Sequence, residues 1–159
     1  MDVHAIGSIQ SPFNVIEDMP IQPSGAAGVR GRIEVLPEYI EGLADLDGFS
    51  HIIVLYHFSR VTRRDLTVTP FLDPAPRGVF STRAPTRPNH IGLSVVKLLE
   101  LNGSCLEIEH VDMLNQTPVL DIKPYVPAFD QPKGPIRVGW LEQKEKSSVE
   151  QHRSDMRFK

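Results

Sequence analysis

The stretch SVVKLLELNGSCLEIEHVDM, Ser94 to Met113, decides the fold class of this 159-residue chain. Two apolar-rich segments, Ser94–Leu101 and Cys105–Met113, flank the pair Asn102-Gly103. Both turn residues tolerate positive φ, so the pattern predicts a β-hairpin closed by a tight turn. Cys105, the single cysteine, falls on alternating positions of the second arm. That placement points to packing over nucleophilic chemistry.

Working outward, 14 prolines are spread through the chain and interrupt most segments before a long helix could grow. Asp2–Ile9 mixes apolar and polar residues with a weak period of two, and GRIEVL, Gly31–Leu36, is a short apolar-rich run; both suit strands. Pro37 opens PEYIEGLADL, in which Tyr39, Ile40 and Leu43 recur at helical spacing, so one short helix is expected there. FSHIIVLYHFS, Phe49–Ser59, is apolar on both faces and reads as a central strand, with His51, Ile53, Leu55 and His57 on one side. Arg60–Pro76 carries charge and prolines with few apolar anchors and reads as irregular and mobile. TPVLDIKPY, from Thr117, is a further strand, and IRVGWL, Ile136–Leu141, the last. Seven or eight short strands and one helix make the protein mainly β, as a barrel or a sandwich. No internal repeat or composition break marks a second domain. The expected organisation is one domain over residues 1–141 and a polar tail over 142–159, either a solvated helix or frayed.

Composition narrows the function classes. The fractions, 40% hydrophobic and 23% charged, are ordinary for a soluble globular protein. The longest apolar runs, such as HIIVLYHF, fall far short of the roughly 20 residues that span a bilayer, so no membrane helix is expected. The N-terminal MDVHAIGSIQ has no basic region followed by an apolar core, so the expectation is a cytoplasmic protein without a secretory leader. A net charge of −3 argues against a surface that binds nucleic acid nonspecifically. Locally the balance reverses, because residues 60–90 hold six arginines against Asp65 and Asp73. Such a face suits an anionic ligand, or it is a solvated arginine-rich loop. There is no GxGxxG, no P-loop, no HExxH and no cysteine pair, and the six histidines lack ligand spacing, so neither a Rossmann nucleotide site nor a metal site is expected.

Three segments are candidates for chemistry. FSTRAPTRPNHIGLS, Phe80–Ser94, contains Pro85 and Pro88, which remove two N–H donors and push Ala84 and Arg87 toward extended backbone. The result is a stiff loop that carries Arg83 and Arg87, whose planar guanidinium groups suit carboxylate or phosphate; otherwise these are solvated surface arginines. In LNQTPVLDIKPYVP, Leu114–Pro127, a strict period of two sets Thr117, Val119, Asp121, Lys123 and Tyr125 on one face. Asp121 beside Lys123 is then a structural ion pair or a tuned acid–base site. In YHFSR, His57 ends the central strand, where a histidine is either packed or functional.

FSTRAPTRPNHIGLS and LNQTPVLDIKPYVP, together with RIEVLPEYIEGLADLDGFSHIIVLYHFSR (Arg32–Arg60), resemble the TsaA-like family, also known as TrmO or YaeB, over about Val3–Leu141. The resemblance implies a β-barrel methyltransferase that uses S-adenosylmethionine, is dimeric, and holds the cofactor near the subunit interface. It also implies a tRNA substrate, methylated on N6 of N6-threonylcarbamoyladenosine beside the anticodon. Carried over residue by residue, the cofactor contacts would be Pro20, Ile21 and Gln22, where Ile21 replaces an arginine, then His57 and Phe58, Arg83, and Leu93. Asn115, Gln116, Thr117 and Pro118 stand for a DGTP turn, so its aspartate and glycine are replaced. His90 stands where the family commonly has proline. The acceptor would be a urea-type nitrogen, which is a poor nucleophile until its proton is lost. Asp121 is the first candidate base and His57 the second, with Arg83 expected to hold the cofactor or polarise the substrate and Arg87 left free for RNA phosphate or a partner subunit. The alternative is a noncatalytic S-adenosylmethionine- or RNA-binding module.

Overall fold

The computed structural model describes residues 2–21 and 23–142. Gln22 and nearly all of the expected 142–159 tail lie outside the described residues. Six strands close into one antiparallel barrel: β1 (Gly7–Gln10), β2 (Arg30–Val35), β3 (His51–His57), β6 (Ile91–Asn102), β7 (Cys105–Glu109) and β8 (Pro118–Pro124). Around the barrel the order is β1-β2-β7-β6-β3-β8, and β8 returns to β1 through Gly7↔Val119 and Ser8↔Pro118. Between β3 and β6, the two-residue strands β4 (Thr67–Val68) and β5 (Arg77–Gly78) pair with each other.

The β6–β7 hairpin forms, but Asn102↔Cys105 is its last register pair, so the two-residue turn is Gly103-Ser104, one position later than expected, with Gly103 at φ 60. Left-handed backbone costs most residues roughly 1–2 kcal/mol but costs glycine little, so Gly103 fits this turn. β3 pairs with β6 along one edge and β8 along the other, with its inner residues buried and its outer ones, Ile53 and Leu55 among them, half-buried. Ile52, Val54 and Tyr56 point into the barrel, where they pack with Ile9, Ile33, Val96, Leu106, Ile108 and Val119. His51, Ile53, Leu55 and His57 share the outer face, as the alternation predicts.

Four expectations are corrected. The first strand is confined to Gly7–Gln10, so most of Asp2–Ile9 lies outside the ladder. PEYIEGLADL forms two 3-10 turns, Pro37–Leu43 and Leu46–Gly48, instead of an α-helix. Only Leu43 and Leu46 of that segment are buried, and Asp45 at φ 65 breaks the helical path between the turns. Among the described residues the α-helix is the single turn α1 (Pro127–Asp130). IRVGWL is not a strand: β1 and β8 already close the barrel, so no edge remains for it to pair with. It ends in a 3-10 turn, Gly139–Leu141, and Trp140 Nε1 donates to Ser81 O at 2.9 Å.

The fourth correction concerns β8. A bulge shifts the β3–β8 register so that Leu55 pairs with Asp121 but Tyr56 pairs with Val119. Leu120 is the extra residue, and it reverses the alternation. Val119 therefore faces the core while Asp121 and Lys123 face outward, so the five residues that a strict period of two aligns do not share a face. The 60–76 segment is mostly irregular, as expected, yet Val68 packs with Val79, Ala84 and Phe71 in a small second cluster.

Candidate active site

The site is built where β3 ends, β6 begins and the Val111–Pro118 connection enters β8. Gly92 opens β6 beside the aromatic end of β3, and a Cβ there would collide with the Tyr56 ring and come within 2.9 Å of Phe58 Cζ. Only glycine lets the two rings settle against this strand. They meet edge to face, with centroids 5.3 Å apart and planes at 80°.

These rings form one wall of a cavity whose other walls are Ile16 and Met19 from the N-terminal segment, Val61 and Pro85 from the loops around β4 and β5, and Met113, Leu114 and Thr117 before β8. Its polar groups are Ser59, Arg60, Thr117 and Asp112. Asp112 is 7% exposed, and Ser94 Oγ donates to its Oδ1 at 2.7 Å. Ser94 has one hydroxyl proton, so in the 3.2 Å contact between Tyr56 and Ser94 the tyrosine hydroxyl is the donor. A directed chain of hydrogen bonds thus runs from Tyr56 through Ser94 to Asp112. Burial pushes the Asp112 carboxyl up to about 6, against smaller lowering effects from the Ser94 hydrogen bond and the Arg83 charge. Burial likewise pushes the Tyr56 hydroxyl well above its ordinary value.

The rim is a pinned turn. Asn115 N–H donates to Phe13 O at 2.7 Å, and Gln116 N–H donates to Ile9 O at 2.7 Å. The Asn115 side chain accepts from Ser11 N–H at 3.3 Å and donates to Asn14 Oδ1 at 3.1 Å. Gln116 has φ 66, the conformation that a glycine at this position would adopt without strain. His90 has φ 49, which a proline ring forbids, and its Nε2 lies 2.8 Å from Arg63 O.

Among the residues singled out in the sequence, Phe58 and Thr117 line the cavity, and Pro20 is buried next to its Met19 wall. Ile21 is partly buried, Pro118 begins β8, and Gln22 lies outside the described residues. His57 and Leu93 stand on the outer face, where β3 and β6 pair His57 with Ile91 and Leu55 with Leu93. The His57 ring lies 6.2 Å from that of His90. Arg83 is exposed, though its charge reaches both Asp112 and Tyr56. Asp121 lies away from the cavity, in a separate groove with Tyr39, Leu46 and Phe49, and pairs with Lys123 at 2.6 Å. Arg87 is not free: its Nη1 faces three backbone carbonyls, Thr82 O at 2.9 Å, Ala84 O at 3.3 Å and Val79 O at 3.5 Å. It holds the proline loop in shape from within. Sequence reasoning passed over Asp112, Ser94 and Tyr56. The available signal was a lone carboxylate inside the apolar run Val111-Asp112-Met113.

Among the described residues no helix is long and apolar enough to cross a membrane, and no group of three metal-ligating side chains gathers. Residues 8–131 match the family described as tRNA-methyltransferase O N-terminal domain. A Pyrococcus abyssi protein named "Probable S-adenosyl-L-methionine-binding protein" is 52% identical over 153 residues, covering 96% of this chain and 82% of its own length. The Homo sapiens protein named tRNA (adenine(37)-N6)-methyltransferase is 37% identical over 137 residues, or 80% of this chain, but the match spans only 31% of that longer protein. The crystal structure of TrmO from Pseudomonas aeruginosa superposes with a TM-score of 0.73 at 38% identity, over 88% of this chain and 62% of that one. Barrel and sequence therefore agree: this chain belongs to the TrmO family, whose N-terminal domain it carries.

Proposed function

We propose that the protein is an S-adenosylmethionine-dependent tRNA methyltransferase that methylates N6 of N6-threonylcarbamoyladenosine beside the anticodon. The observation that carries this reading is the cavity at the barrel end, which joins Phe58 and Thr117 of the two site motifs under an aromatic wall. At about 70 Å³ the cavity is smaller than the roughly 300–1,000 Å³ of sites that bury a whole drug-sized ligand, so it takes one portion of such a ligand. The lining suits one portion of this cofactor: Phe58, Met19 and Pro85 would flank an adenine or thioether group, and Thr117 and Ser59 offer hydroxyls. When bound, the cofactor supplies an electrophilic methyl group on a sulfonium.

The chain's own residues orient and enclose. The turn at Asn115 and Gln116, tied to Ile9 and Phe13, keeps Thr117 in register with Phe58. Arg83, on the loop that Arg87 braces, supplies positive charge at the rim for an anionic group of cofactor or RNA.

The reading includes a homodimer. His57 and Leu93 lie outside the cavity on an outer face where Leu93 is 48% and Ile91 42% exposed, so one chain leaves part of the expected contact set open to solvent. A second copy on this face would enclose it. A cytoplasmic location follows from a tRNA substrate and is part of the same proposal.

Calorimetric titration with S-adenosylmethionine, followed by incubation with labelled cofactor and tRNA fractions with and without the threonylcarbamoyl group, tests the reading. Binding with transfer to modified tRNA is expected. Binding without transfer to any fraction favours the noncatalytic module, and no heat at millimolar cofactor with folded protein rejects both.

A further inference from the structure

We propose that Asp112 is a catalytic residue of this site: it takes the proton that the acceptor nitrogen loses when the methyl group is transferred. The proposal rests on the methyltransferase reading above and deepens it.

Three observations carry it. Among the described residues, Asp112 is the one carboxylate lining the cavity that holds Phe58 and Thr117. It is 7% exposed, so it works in a water-poor setting where a carboxylate is a stronger base than in solution. It is also oriented, because Ser94 takes Oδ1 and Tyr56 in turn fixes the Ser94 hydroxyl. Neither earlier candidate meets these conditions. The Asp121 side chain is 42% exposed, is held by Lys123, and lies in a different groove. His57 is on the outer face.

The charged and titratable groups around Asp112 are few. From β3 comes the Tyr56 hydroxyl, from the segment after β3 Arg60, and from the proline loop the charge of Arg83. The N-terminal segment contributes only the apolar Ile16 and Met19. In the step itself, the nitrogen bonds to the methyl carbon while the carbon–sulfur bond breaks with its electron pair left on sulfur. The N–H electrons stay on nitrogen and the proton passes to the Asp112 carboxylate, so a cation and an anion are both neutralised. A carboxyl that titrates near 6 is mostly ionised at neutral pH and so ready for this role.

The test pairs kinetics with a measurement on cofactor-free protein. Wild-type single-turnover methyl transfer should rise with pH through an inflection near 6. The Asp112 carboxyl carbon, identified in NMR spectra by its loss in Asp112→Asn, should titrate at the same pH without cofactor. Asp112→Asn should lower the single-turnover rate by about 100-fold or more and abolish the inflection, with Asp112→Glu restoring part of the rate. If Asp112→Asn fails to fold, Ser94→Ala serves instead: removing a hydrogen bond to the carboxylate should move the inflection to higher pH. An unchanged inflection in Asp112→Asn or Ser94→Ala overturns the proposal while leaving the enzyme reading intact. Wild-type protein that transfers no methyl group at any pH overturns both.

Discussion

At the scale of single residues, the fold changes what three residues do. Asp112 has an ordinary carboxylate's chemistry in the sequence, and only the closed barrel end shifts it. Its folded-state value is raised, so the unfolded chain releases this proton at lower pH than the native protein does. The stability associated with Asp112 is therefore fully present below its unfolded value near 4 and is lost as pH rises through about 6. A shift of about two units corresponds to roughly 3 kcal/mol. Urea unfolding at pH 4 and pH 7 should show wild type losing about that much relative to Asp112→Asn, whose amide does not titrate. Arg87 is the second case. Proline spacing made the stiffness of its loop readable, but the direction of the guanidinium required knowing that Val79, Thr82 and Ala84 turn their carbonyls toward it. Arg87→Met should cost about 1–3 kcal/mol and speed amide exchange across Thr82–Thr86, whereas an arginine that served only RNA would leave both unchanged. The third is Gln116, held at φ 66. Gln116→Gly should raise stability by about 0.5–1 kcal/mol, read as a melting temperature higher by about 2 °C.

At the scale of elements, local signals succeeded where the determinant was local. Gly103 marks the hairpin turn, though the turn falls on Gly103-Ser104 and leaves Asn102 in the strand, and the β-branched and aromatic run of β3 needs little more than neighbours on both sides. They failed where closure decides. Ile136–Leu141 has strand-like composition but meets a barrel with no open edge. The face of β8 depends on a bulge at Leu120 that alternation does not reveal. That bulge is why Asp121 looked like a neighbour of Thr117 in sequence and lies in another groove in space. Gly92 shows the reverse situation, a glycine explained only by what packs over it. Gly92→Ala should destabilise the protein by about 1–3 kcal/mol, since the Tyr56 and Phe58 rings must both move. It should also disturb the Tyr56–Ser94–Asp112 chain, seen as a displaced Asp112 titration.

For the whole molecule, the residues implied by family resemblance divide between an inner cavity and an outer sheet face. His57 ends β3 on the outer face, and Phe58, which follows it, lines the cavity. A second copy on the outer face would cover His57 and Leu93, so light scattering should give twice the 17.8 kDa chain mass. Leu93→Asp should shift the protein toward monomer and weaken cofactor binding together, because the same surface would serve both. The measurement that most directly tests the central claim is nucleoside mass spectrometry of tRNA treated with this protein and S-adenosylmethionine. The account predicts one added methyl group on threonylcarbamoyladenosine at position 37, and none on the same tRNA lacking the threonylcarbamoyl group. Unchanged nucleosides, with folded protein and bound cofactor, would contradict it.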